Sequence, residues 1–115
     1  MTDARDFLGQ IVTIHMDRPL GSCHPRHGYV YPVNYGFVPG TSAPDGGELD
    51  AYVLGAAGPL AEFTGRCLAV IHRTDDEDDK LIVAGEGGTY SDEDIRALTD
   101  FQERFFTSTI LRGSV

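Results

Sequence analysis

The sequence predicts a mainly β protein with five short strands and one helix near the C-terminus. Short β-branched and aromatic runs recur along the chain, and clusters of Gly, Pro, Asp and Ser separate them. The 115 residues include 14 glycines and 6 prolines, which favours a turn-rich β protein over a helical bundle. A chain of this length has room for one hydrophobic core, so we expect a single domain over residues 1–115.

Five segments predict the strands in chain order. Residues 11–16 are rich in β-branched side chains, alternate in polarity and end at a turn over residues 17–21, and a loop follows at 22–28. Residues 29–38 have strand composition, but Pro32 and Gly36 interrupt it, as is typical of an edge or bulged strand. Further β-branched and apolar runs predict strands at 50–54, 65–72 and 80–84.

The end of the chain has a different periodicity. Ser91 is suited to cap a helix, and Asp94 stands three residues later, as in a capping box. The following apolar residues have helical spacing and are Ile95, Leu98, Phe101, Phe105 and Phe106. The spacing predicts an amphipathic helix over residues 92–107, packed on the sheet. So small a sheet would expose its edges if it stayed open, so we predict a five-stranded closed barrel of the OB type.

Charge limits the partners of the chain. The net charge is −9, and the nine basic residues form no cluster, so nucleic acid and anionic membranes are not expected to bind. No run is long and apolar enough to cross a bilayer, and the first residues are acidic where a signal peptide is basic. These features predict a cytoplasmic protein, in which Cys23 and Cys67 are reduced thiols.

Acidic residues are concentrated in two places. Asp45 and Asp50 bracket a glycine-containing turn, and five acidic residues at 75–79 run directly into Lys80, which is the only lysine. Carboxylates this close repel one another unless a cation lies among them, and Mg²⁺ prefers oxygen ligands and shares substrate phosphates. The pattern predicts a metal-bridged phosphate site. Ordinary turn chemistry at Asp45 and Asp50, and a solvated hairpin tip at 75–79, remain the alternatives.

Other polar side chains extend this hypothesis. Lys80 can bind a phosphate as a point charge. Tyr31 and Tyr35 share a face on a regular strand, where their phenols can donate to phosphate oxygens or serve as core aromatics. A rival zinc site would use Cys23, His24 and His27, although no Cys-x-x-Cys pair accompanies them.

Three blocks of sequence resemble the family I soluble inorganic pyrophosphatases. They are Tyr-Pro-Val-Asn-Tyr-Gly-Phe at 31–37, Ala-Pro-Asp-Gly-Gly-Glu-Leu-Asp-Ala at 43–51 and the acidic run that ends at Lys80. Their order and spacing match the family, and the similarity extends through most of residues 11–106. The resemblance implies an OB-type barrel with Mg²⁺ as cofactor. It also implies hydrolysis of pyrophosphate to two phosphates by metal-activated water.

The resemblance assigns roles to individual residues. It implies metal binding by Asp45, Asp50, Asp75 and Asp78, with Asp76 as a substitute for Asp75. Lys80 and Tyr35 match residues that contact phosphate, and Arg26 is the nearest substitute for an arginine whose position holds Cys23.

The sequence also departs from the family's pattern. Gly47 stands where the family has the aspartate thought to take a proton from the attacking water, so the adjacent Glu48 joins Asp50 as a candidate catalytic residue. The family's Tyr-Lys pair after the helix is Thr109-Ile110 here. A second hypothesis is therefore a non-catalytic protein, or one with altered substrate, that binds metal or a phosphorylated ligand. An OB-type module for single-stranded nucleic acid is a third reading, but it needs a basic groove. Related pyrophosphatases assemble from several subunits, which makes a homo-oligomer an expectation here.

Overall fold

A computed structural model describes residues 3–43, 46–75, 78–85 and 87–112. A short 3₁₀ helix at Ala4–Phe7 precedes the first strand. The strands are β1 (Ile11–Arg18), β2 (Asn34–Phe37), β3 (Asp50–Leu54), β4 (Glu62–Arg73), β5 (Asp79–Ala84) and β6 (Ser108–Arg112), and the helix α1 (Asp92–Glu103) lies between β5 and β6.

Five of these strands close into a barrel. β1 pairs with β2 on one side and with β4 on the other, so the ring runs β1–β2–β3–β5–β4 and returns to β1. β3 and β5 are parallel, and the other four pairs of the ring are antiparallel. The prediction of a mainly β protein with a five-stranded closed barrel and a C-terminal helix is confirmed. β6 was not predicted, and it lies outside the ring as an antiparallel neighbour of β4.

The barrel wall separates two hydrophobic clusters. The interior is filled by alternate residues of the strands, among them Ile14, Val53 and Leu81, which are 0–1% exposed. The opposite face of β3 and β5 carries Tyr52 and Ile82, which pack with Ile95 of α1. The helix therefore covers the outer face of the barrel, as its amphipathic pattern predicts.

The helix begins where predicted and ends earlier. Ser91 accepts a hydrogen bond from the Asp94 backbone, and the Asp94 carboxylate accepts one from the Ser91 backbone, which completes the capping box. The predicted end at residue 107 is wrong, because the chain leaves the helix after Glu103 to pair β6 with β4. Phe105 is consequently 64% exposed rather than on the buried face.

Other strand boundaries also differ from the predicted ones, because strand pairing decides where each strand begins and ends. β1 and β4 extend beyond the predicted 11–16 and 65–72, since both have partners along the added residues. Of the predicted strand at 29–38, only Asn34–Phe37 joins the barrel. Gly36 is required there, because a Cβ atom at this position would overlap with the backbone carbonyl of His15 on β1. No helix of the described residues is long and apolar enough to cross a membrane.

Candidate active site on the outer face of the barrel

The site begins with the register of the parallel pair. Asp50 opens β3 and lies opposite Lys80, the second residue of β5. Side chains at a paired register position point to the same face of a sheet, which here is the outer face. Tyr52 follows on the same face, and Tyr35 of β2 pairs with it. The strands thus bring one cation, one carboxylate and two phenols together.

Lys80 is held between two carboxylates. Its Nζ lies 2.6 Å from Asp50 Oδ2 and 2.8 Å from Asp78 Oδ2, and the side chain is 3% exposed. Burial lowers the pKa of Lys80, but the charges and hydrogen bonds of the two aspartates outweigh it and raise that pKa overall. Within the described residues, Lys80 itself therefore supplies the positive charge that the neighbouring carboxylates require.

The Asp78 carboxylate has a second cation beside it. Arg73 Nη1 lies 3.4 Å from the same Oδ2 atom that accepts from Lys80. Burial raises the pKa of Asp78, and the charges of Lys80 and Arg73 oppose that effect. Asp78 therefore joins the lysine at the start of β5 to the arginine at the end of β4.

Tyr35 completes the predicted set on this face. Its ring centroid lies 5.7 Å from Lys80 Nζ. Burial raises the pKa of Tyr35 well above its usual value, and the charge of the Asp50 carboxylate raises it further. The phenol is thus protonated and able to donate a hydrogen bond throughout the physiological pH range.

A buried polar network behind the site was missed at the level of sequence. Arg73 Nε and Nη2 donate to the two carboxylate oxygens of Glu103, at 2.9 and 2.7 Å. The Tyr52 hydroxyl donates to Glu103 Oε2 at 2.6 Å and accepts from Gln102 Nε2 at 2.7 Å. The sequence did contain a signal for this network, because helical spacing places three polar residues on the same buried face as Ile95. They are Thr99, Gln102 and Glu103, which follow Ile95 by four, seven and eight residues.

The remaining predicted residues lie elsewhere or outside the described chain. Asp75 Oδ2 accepts a hydrogen bond from the backbone of Thr107, just before β6. Arg26 is exposed in the loop between β1 and β2, and its backbone N–H donates to His24 Nδ1. Asp45 and Asp76 lie outside the described residues.

Glu48 is exposed, and its charge acts on a carboxylate that the sequence did not single out. Partial burial raises the pKa of Asp17 on β1, and the charges of Asp50 and Glu48 add to this effect. The charges of Asp50 and Glu48 thus act on a common third carboxylate, Asp17.

The described residues supply part of a ligand set for a hard cation. Carboxylate oxygens of Asp50 and Asp78 are chemically suited to Mg²⁺, and both groups are tied to Lys80. No group of three or more His, Cys, Asp or Glu side chains in the described parts is arranged to hold a metal. The same finding applies to the rival zinc site, where His24 Nδ1 accepts from the backbone of Arg26 and His27.

Comparison with known proteins adds the last observations. The sequence profile of the inorganic pyrophosphatase family matches residues 12–110. The fold is similar to that of the inorganic pyrophosphatase of Ehrlichia chaffeensis, with a TM-score of 0.67 and 18% identity over 85% of this chain and 82% of the other. The Helicobacter pylori inorganic pyrophosphatase gives a TM-score of 0.67 and 18% identity over 97% of this chain and 89% of the other. The Neisseria gonorrhoeae inorganic pyrophosphatase gives a TM-score of 0.60 and 22% identity over 92% of this chain and 82% of the other.

A search of curated protein sequences finds no match. The structural similarities, at these identities, show the shared fold. The family profile does more, because it spans most of the chain and includes β1 through the first residues of β6. The protein belongs to the inorganic pyrophosphatase family.

Proposed function

We propose that this protein hydrolyses inorganic pyrophosphate to two phosphates with Mg²⁺ as cofactor, at the outer barrel face where Asp50, Asp78 and Lys80 meet. Family membership supports the reaction class. The observation that carries the proposal is the buried ammonium of Lys80, fixed between two carboxylates at the adjacent starts of β3 and β5. Such a group offers a fixed positive charge to a phosphate.

Lys80 is assigned to the substrate. An ammonium has three N–H donors, and Asp50 and Asp78 accept two of them. The third can donate to a phosphate oxygen without loss of either ion pair. Arg26, which is exposed in the loop between β1 and β2, is proposed as a further phosphate contact. Tyr35, whose ring lies beside Lys80, is proposed to donate a hydrogen bond to the substrate.

The acidic residues are assigned to the cofactor and to proton transfer. Asp45, Asp50, Asp75 and Asp78 are proposed to hold Mg²⁺, which would supply charge neutralisation and water activation. Glu48 is proposed to accept a proton together with Asp50, because it is exposed and its charge, like that of Asp50, acts on Asp17.

The test is phosphate release from pyrophosphate as a function of Mg²⁺ concentration. We expect turnover that rises with Mg²⁺ and falls by about 100-fold or more in Asp50→Asn. The matched control is Asp100→Asn, which removes an exposed carboxylate paired with Arg104 on α1 and should retain wild-type turnover. Equal turnover in wild type and Asp50→Asn would point to a contaminating host enzyme and contradict the proposal.

A second candidate is a protein that binds metal or a phosphorylated ligand without hydrolysis. Gly47 favours it, since the resemblance places an aspartate there, and so does the engagement of Asp50 and Asp78 by Lys80. Isothermal titration separates the two candidates. Pyrophosphate binding that requires Lys80 but yields no phosphate would establish the second.

We also propose that the protein acts in the cytoplasm as a homo-oligomer and has no nucleic-acid or membrane partner. The net charge of −9 supports the last point. Three large apolar residues on the described surface support self-association: Ile11, Val30 and Phe105, which are 57%, 55% and 64% exposed. Light scattering on the purified protein tests this, and a monomer at all concentrations would refute it.

A further inference from the structure

Directly behind the Lys80 site lies a buried ion pair between the barrel and the helix. Arg73 closes β4 and Glu103 closes α1, and their side chains are 6% and 8% exposed. The pair is bidentate, with Arg73 Nε and Nη2 on the two oxygens of Glu103. The guanidinium also stacks on the Phe106 ring, with 3.7 Å between its central carbon and the ring centroid. This geometry fixes the orientation of the guanidinium.

The orientation of Arg73 decides how Asp78 is shared. Asp78 Oδ2 lies 2.8 Å from Lys80 Nζ but 3.4 Å from Arg73 Nη1. Two buried cations thus compete for one carboxylate oxygen, and the lysine makes the shorter contact. Glu103 occupies two of the donor positions with which Arg73 could otherwise approach Asp78.

We propose that Glu103 is a positioning residue of the site, which holds Arg73 back so that the Asp78 carboxylate remains on Lys80. The consequence for catalysis rests on the proposed pyrophosphatase function, whereas the positional effect does not. If the charge of Glu103 is removed, the buried guanidinium has to find compensation from another carboxylate, and among the described contacts Asp78 already lies beside it. Asp78 then moves toward Arg73, and the ammonium shifts toward Asp50.

Glu103 is itself fixed from two sides. The hydroxyl of Tyr52 on β3 donates to its Oε2, and Gln102 on the same helix turn donates to that hydroxyl. Gln102 Oε1 in turn accepts from Tyr29 and Tyr31, at 2.9 and 3.0 Å. The last turn of α1 is therefore tied to the barrel by polar contacts, and the placement of the lysine depends on that docking.

Because Lys80 is the only lysine, protein labelled with ¹⁵N-lysine gives a single ammonium signal. At one fixed pH we would measure its chemical shift and the rate at which its protons exchange with water. Glu103→Gln should move the signal and accelerate exchange. Thr99→Val is the matched control, since Thr99 is a buried polar residue on the same helix whose hydroxyl donates only to the Ile95 carbonyl among the described contacts.

The double variant Arg73→Met with Glu103→Gln distinguishes positioning from helix packing. With the competing cation gone, Asp78 should return to Lys80 and the signal should return toward the wild-type position. A Glu103→Gln signal that is unchanged would overturn the proposal, and so would a double variant that remains displaced. If Glu103→Gln alone does not fold, the double variant still allows the proposal to be refuted, because removal of a complete buried pair is commonly tolerated and a displaced signal there would overturn it.

Kinetics form the second arm. Glu103→Gln should raise the KM for pyrophosphate on the order of tenfold, as expected for a displaced charged contact, and the double variant should recover most of this loss. Absence of hydrolysis by the wild type would contradict the proposed function and leave the NMR result to decide the role of Glu103. Wild-type KM in Glu103→Gln, with active enzyme, would contradict the positioning role.

Discussion

Lys80 and Asp50 occupy one register position of the parallel pair β3–β5, and Lys80 Nζ lies 2.6 Å from Asp50 Oδ2. The contact is set by backbone pairing, so the strands themselves orient the lysine. A cation that is already oriented and largely desolvated has less reorganisation to undergo when a phosphate arrives. The register of two short strands is thus the structural origin of the site.

Removal of the lysine charge should destabilise the fold and make it dependent on an added cation. Lys80→Met leaves Asp50 and Asp78 facing each other without their shared counter-charge, at a cost of about 2–4 kcal/mol in the free energy of unfolding. Urea denaturation with and without Mg²⁺ measures this. Mg²⁺ should stabilise the variant more than the wild type. Arg66→Met, an exposed cation on β4, is the control, and equal stability of Lys80→Met and wild type would refute the expectation.

The Tyr35 phenol should matter for the substrate more than for the fold. Tyr35→Phe removes the buried hydroxyl but keeps the ring beside Lys80, so we expect a loss of no more than about 1 kcal/mol in stability. The KM for pyrophosphate should rise several-fold. Tyr90→Phe is the matched control, since Tyr90 lies beside Gly55, at the other end of β3. Equal KM changes in the two variants would argue against a role for Tyr35.

The two thiols should differ sharply in reactivity. Cys67 is 1% exposed inside the barrel, and burial raises its pKa to about 11, whereas Cys23 is exposed. Ellman's reagent at pH 8 should label one thiol in the native protein, and Cys23→Ser should abolish that labelling. Rapid labelling of two thiols in folded protein would contradict the assignment.

The same thiol predicts a pH dependence of stability. The unfolded chain loses the Cys67 proton near pH 9, while the folded protein keeps it to about 11, so the unfolded state binds fewer protons in this interval. The free energy of unfolding should therefore fall as the pH rises from 9 to 11. Cys67→Ala should reduce the slope, and an unchanged slope would exclude the thiol as the cause.

Gly36 should tolerate no side chain. Gly36→Ala places a Cβ atom on the His15 carbonyl, and we expect a loss of at least about 3 kcal/mol, since neither strand of the closed barrel can withdraw freely. Gly58→Ala serves as the control, because nothing lies within 4 Å of the Cβ position there. Thermal denaturation of both variants measures the difference. A Gly36→Ala protein as stable as Gly58→Ala would refute the tight β1–β2 packing.

What the sequence predicted well was local. β3 matches its predicted residues, because alternation and turn residues bound it clearly on both sides. The sequence assigned Asp50 and Lys80 to one metal-bridged phosphate site, but it did not predict the direct ion pair between them. β6 was missed, because Ser108–Arg112 becomes a strand only through pairing with β4, and helical spacing of the aromatics masked it.

The Arg73–Glu103 pair shows a different reason for failure. Thirty residues separate the two side chains in sequence, and each looks like an ordinary surface charge when taken alone. Only the docking of α1 on the barrel buries both of them. A charged residue at a predicted buried helix position is the one sequence signal for such a pair.

The two ends of β4 have different partners, so one end closes the barrel and the other lies beside the charged site. β1 pairs with residues 62–66 of β4, whereas β6 pairs with residues 69–73, the end that carries Arg73. Transient separation of β1 from β4 would expose backbone amide hydrogens at residues 62–66 and leave residues 69–73 paired with β6. The barrel can therefore open locally at the β1–β4 seam while the Asp50–Lys80 contact persists, because that contact depends on the pairing of β3 with β5.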